Sequence, residues 1–115
     1  MKQLVAISIG LSIFAATTSA SVMTEANNAG AVTLAIVHAE KCSADQPSMK
    51  AEIDSAFSLW KQRNQKYIIA AESRADFNKN QTVIREMFKS RGALPVSDCQ
   101  LLIQRARSPE SDLHE

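Results

Sequence analysis

The chain has 115 residues, 45% of them hydrophobic and 22% charged, which is the makeup of one globular domain and excludes two stacked ones. Thirteen Lys and Arg against twelve Asp and Glu leave a net charge of +1, too balanced for a protein that holds nucleic acid through its phosphates. One Trp, one Tyr, four Phe, three Gly and three Pro speak against a turn-rich β fold and against a disordered linker, which leaves a small, mostly helical domain.

The opening segment, MKQLVAISIGLSIFAATTSA, carries one Lys, an apolar run from Leu4 to Ala16, and small residues ending at Ala20. This is the three-part layout of a secretory signal peptide. The apolar run is about thirteen residues, whereas a bilayer-crossing helix needs about twenty. Thr18 and Ala20 fit cleavage between Ala20 and Ser21, with Ala16 and Thr18 as the fallback pair. No Cys follows the run directly, so a lipoprotein route lacks its acceptor. The expected organisation is a signal peptide over 1–20, a single helical domain over 21–107, and a flexible acidic tail over 108–115. The expected destination is periplasmic or secreted, with no stable membrane insertion after cleavage. Loss of Lys2 leaves twelve basic and twelve acidic residues, so long-range steering of a charged partner is not expected.

Residues 21–29 form a polar lead-in, with Thr24 as a candidate N-cap. In the run Gly30–Cys42, the β-branched Val32, Thr33, Ile36 and Val37 suit a buried strand, while three Ala and the continuation into Glu40 and Lys41 suit a helix. No partner strand is visible elsewhere, so the run reads as a helix buried on most sides. Pro47 supplies a fixed φ at the first position of the next helix. From Ser48 to Glu72 there is neither Gly nor Pro, and Ile53, Phe57, Trp60, Asn64, Tyr67, Ile68 and Ala71 recur at steps of three and four. That spacing predicts one long amphipathic helix over about 47–72, with Lys50 and Asp54 paired on its outer face. Ser73 and Asp76 resemble a capping pair before a helix over about 74–91, which Gly92 terminates in the left-handed region. Ser97 and Gln100 match a capping box ahead of Leu101, Leu102, Ile103 and Ala106, a last short helix that Pro109 stops. The fold class expected is all-α: a three- to four-helix array with one long central helix.

Cys42 and Cys99 are the two cysteines, and in an oxidising compartment they pair. Closing the long loop between them is worth about 4 kcal/mol in the chain-entropy view, comparable to the whole stability of so small a core. The bridge staples the end of the first helix to the start of the last. The spacing is neither C-x-x-C nor C-x-x-C-H, so redox and haem attachment are not indicated. His38 and Cys42 lie one turn apart, but the only other His is His114 in the tail, and no metal set is assembled.

Within WKQRNQKY, Arg63 and Asn64 interrupt the apolar stripe between Trp60 and Tyr67. Trp, Tyr and Arg are the usual anchors of protein interfaces, so Trp60, Arg63, Asn64 and Tyr67 form the candidate partner-binding face. The plainer reading has the two aromatics in the core, Asn64 on backbone groups and Arg63 along the surface. Ser58 and Lys61 match the short S-x-x-K pattern of penicillin-recognising acylases, without the other motifs of those enzymes. His38 reads as a neutral core histidine. Phosphate loops, zinc spacings and nucleophile elbows are absent from the sequence, and no cofactor is implied. The functional expectation is a small exported protein that binds another protein without catalysis, of the inhibitor, immunity, chaperone or accessory-subunit type. The alternatives are an acid-responsive periplasmic chaperone and, behind it, a very small envelope hydrolase.

Overall fold

The question left open by Gly30–Cys42 is resolved in favour of helix. In a computed structural model, which describes residues 2–115 with side chains from Thr24 onward, this run is part of one helix, α1 (Lys2–Asp45). The signal peptide expected over 1–20 and its cut after Ala20 lie outside the residues whose side chains are described. Thr24 falls inside α1 and not at its start, so it is no N-cap. The β-branched residues are tolerated because they pack: Val32, Thr33 and Val37 are buried, and the Thr33 hydroxyl donates to the Ala29 carbonyl at 2.8 Å. Burial on most sides was too strong an expectation, since Gly30, Ala31 and Leu34 form an exposed face. Among the described residues no helix is long and apolar enough to cross a membrane.

A 3-10 turn at Pro47–Met49 leads into α2 (Lys50–Arg63), followed by α3 (Gln65–Glu72), α4 (Phe77–Ser90), α5 (Val96–Arg107) and a second 3-10 turn at Pro109–Ser111. The architecture is all-α and disulfide-fastened, as expected. The helix expected over 47–72 is present as two, divided at Asn64, whose φ of −111° and ψ of 20° leave the helical region. The cause is local: the Asn64 amide donates to the Trp60 carbonyl at 2.8 Å, competing with the backbone for the same acceptor. The Lys50–Asp54 pair forms at 2.7 Å.

Two capping expectations fail for identifiable reasons. The Ser73 hydroxyl turns back to the Ile69 carbonyl at 2.7 Å, and Asp76, although it stands at the N-cap position of α4, gives its carboxylate to Arg74 at 3.2 Å, so neither side chain makes a cap bond. Pro95, extended at φ −71° and ψ 160°, is the N-cap residue of α5, so Ser97 already lies inside the helix and makes no cap bond. Gly92 does take the left-handed conformation, with φ +74° just beyond α4.

One core joins all five helices. α2 packs chiefly against α5, while α3 and α4 pack against α1. Val32, Val37, Ile53, Ala56, Trp60, Ile68, Phe88, Leu94 and Ile103 are buried in a single cluster. Cys42 and Cys99 are bonded and wholly buried within it, their Cα atoms 5.6 Å apart, tying the last turns of α1 to the first turn of α5. Beside the bridge, Asp45 accepts the Leu94 amide at 2.8 Å and pairs with Lys41 at 3.0 Å. These bonds hold its carboxyl below the ordinary carboxylate range, the Leu94 amide contributing most.

Candidate functional site

The four residues singled out in WKQRNQKY stand at the junction of α2 and α3, because the break at Asn64 turns the polar part of the stripe toward the end of α5. Trp60 is 5% exposed, stacks on Phe57 with ring centroids 5.5 Å apart, and points its indole nitrogen at the Ser111 carbonyl, 3.5 Å away. Arg63 donates to the Ala106 carbonyl at 2.6 Å and to the Ser108 carbonyl at 3.4 Å, supplying positive charge where α5 leaves its last carbonyls unpaired. The same guanidinium pairs with Asp112 at 2.9 Å.

Asn64 is 1% exposed, and both its side-chain nitrogen and its side-chain oxygen are partnered. Its nitrogen donates to Trp60 and, at 3.4 Å, to Asp112, while its oxygen accepts the Leu113 amide at 2.7 Å. A buried amide left unpaired costs about 1–3 kcal/mol, so this position is built around the segment that reaches it.

That segment is 108–115, read from sequence as a flexible acidic tail. It folds back as a strap. Ser108 caps the short turn by accepting the Glu110 amide at 3.3 Å, and the Ser111 hydroxyl donates to the Ser108 carbonyl at 2.8 Å. Beyond the turn the strap runs extended, with Leu113 packed on the core. Asn28 of α1 donates to the His114 carbonyl at 3.1 Å, and Lys66 of α3 pairs with Glu115 at 3.1 Å. The strap therefore lies in a channel walled by α1 on one side and the α2–α3 junction on the other.

Open space flanks it. A hollow of about 520 Å³ is lined by residues that include Glu25, Asn28, Lys66, Tyr67, Arg74 and Glu115. A second, of about 320 Å³, lies along Asn27, Asn28 and the strap residues Asp112, Leu113, His114 and Glu115. Tyr67 is half-buried in the wall of the larger hollow, with the Lys66 ammonium 4.9 Å from its ring centroid. The structure thus turns Trp60, Arg63 and Asn64 onto the strap and Tyr67 onto the adjacent hollow. Asn28, Lys66, Asp112, Leu113 and Glu115 complete the channel, and sequence spacing gave no hint of them. The one available clue was Leu113, an apolar residue alone in an otherwise polar tail.

The groups considered for hydrolysis are scattered. Ser58 and Lys61 are exposed on α2, with Lys61 lying over the Phe57 ring. His38 is half-buried, stacked on Phe88 at 5.3 Å, and its pKa is lowered chiefly by burial. None of the three lines either hollow. Among the described residues no group of three His, Cys, Asp or Glu is placed to hold a metal ion. Comparison with protein-family models, with curated proteins and with solved structures finds no match to this chain.

Proposed function

We propose that this is a small exported binding protein, periplasmic or secreted, that acts on another protein without catalysis through the channel around Trp60, Arg63, Asn64 and Tyr67. It would serve as an inhibitor, immunity factor, chaperone or accessory subunit. The observation that carries the reading is the channel itself: a polar seat grips an extended segment through its backbone amide and carboxylate, beside hollows that the segment leaves unfilled. The buried disulfide agrees with an oxidising compartment. A photo-crosslinking side chain placed at Lys66, on the channel rim, should yield a protein adduct in the native cell. The same group at Lys79, exposed on α4, should not. Equal adducts from both positions, or none from Lys66, would dispose of the assignment.

A second reading, an acid-responsive chaperone, draws on a different observation. Both ionic holds on the strap, Arg63–Asp112 and Lys66–Glu115, use carboxylates, and so does the Asp45 tie to Leu94. Strong acid would remove the carboxylate charge, with the Asp45 tie holding to lower pH because the Leu94 amide and Lys41 depress its pKa, and would leave the chain's basic residues to repel one another. A dye-binding titration from pH 7 to pH 2 should then show apolar surface opening, and a flat titration would remove this reading.

A further inference from the structure

The seat at the α2–α3 junction shows what chemistry it recognises, because it is already filled. Its contacts to the strap are of two kinds. The Asn64 oxygen accepts a main-chain amide at 2.7 Å and the Asn28 nitrogen donates to a main-chain carbonyl at 3.1 Å, and neither depends on which side chain the segment carries. Arg63 and Lys66 take carboxylates three positions apart, at 2.9 Å and 3.1 Å. Between the two acids the seat asks only for an extended chain with an apolar side chain where Leu113 meets the core.

The strap also underfills its channel. Hollows of about 520 Å³ and about 320 Å³ remain on its flanks, and the smaller one runs along Leu113 and His114. A segment with the same charges and backbone direction but a larger side chain at the His114 position would keep every polar contact and gain buried area. The strap's rim contact is weak competition, since Lys66 and Glu115 are 68% and 83% exposed. Being tethered, however, the strap acts at an effective concentration in the millimolar range, so it sets a threshold that an outside segment must exceed.

From this we infer that the partner of the channel is an extended acidic segment of another protein, of the pattern acid, apolar, any residue, acid, and that residues 109–115 are its tethered stand-in. The inference rests on the binding reading above and names the chemistry of the partner for the same site.

The test uses the full disulfide-bonded chain and synthetic peptides. One peptide has the strap sequence PESDLHE, a second has Tyr in place of the His, and a third has both channel-facing acids replaced by their amides. Binding is followed by Trp60 emission and by hydrogen exchange of the Leu113 amide. The Tyr peptide should bind, raise Leu113 exchange by displacing the strap, and bind at least tenfold more tightly than the amide peptide. Weakening the strap in the full chain with Asp112→Asn should strengthen peptide binding at least threefold, and a chain ending at Ser108 should strengthen it further. If the shortened chain does not fold, the Asp112→Asn chain decides.

The inference is overturned if millimolar peptide binds neither chain, if charged and amide peptides bind alike, or if the strap's own sequence binds most tightly of the panel. The last result would make the channel an internal clasp. A concentration-dependent dimer that vanishes with Asp112→Asn would also overturn it, by making a second copy the occupant. Adducts from Lys66 without peptide binding would sink this inference and leave the binding function standing. Peptide binding without adducts would overturn the binding reading and this inference with it, leaving only a channel that accepts such a segment.

Discussion

Asn64 gathers three structural roles in one side chain. It divides α2 from α3, bonds the Trp60 carbonyl one turn back and receives the strap. Asn64→Ala should cost about 1–3 kcal/mol in urea unfolding, because the Leu113 amide loses its acceptor. It should also raise exchange at that amide well above the level of neighbouring core amides. A different single residue governs behaviour in mild acid. Burial lowers the His38 pKa from its ordinary 6.5, Arg105 and Arg91 push it the same way, and Asp98 opposes them. The unfolded chain therefore takes up the proton first. The contribution is fully present above about pH 6.5 and is lost as pH falls through the depressed folded value. His38→Phe keeps the stacking on Phe88 and should flatten stability between pH 7 and pH 5, whereas a slope equal to wild type would place the sensitivity elsewhere.

The helices show which parts of a fold a sequence exposes. Ile53, Trp60 and Ile68 are buried where the three- and four-residue spacing placed them, because that pattern is the core-facing stripe itself. Gly92 was equally legible, since a left-handed residue after a helix favours glycine; it sits at φ +74°. Gly92→Ala meets no neighbouring atom, so its cost is purely conformational and should be about 1 kcal/mol, read as a lowered urea midpoint at unchanged m-value. What spacing could not reveal were the choices between competing partners. Ser73 prefers Ile69 to its capping role, and Pro95 overrides the box at Ser97. The candidate face was half legible for the same reason. Arg63 and Asn64 announced themselves as polar residues on an apolar stripe, but their partners Asp112 and Leu113 lie far along the chain. No local pattern links residues that only the folded array brings together.

At the scale of the whole molecule, stability is shared between a modest core and one covalent closure. Replacing both Cys42 and Cys99 with Ala removes the closure and should lower unfolding free energy by about 2–5 kcal/mol, measured against the oxidised chain in urea. Both sulfurs are wholly buried, so the native protein should resist thiol reagents and mild reductant until it opens. The bridge also sorts every backbone scission into two classes. A protease that cuts at the exposed link around Gly92, or in the bend at 73–76, severs the polypeptide but leaves both pieces covalently joined through the sulfurs. Such clipped material would run as a single band until reductant splits it, whereas a cut at Ser108 would free its fragment at once.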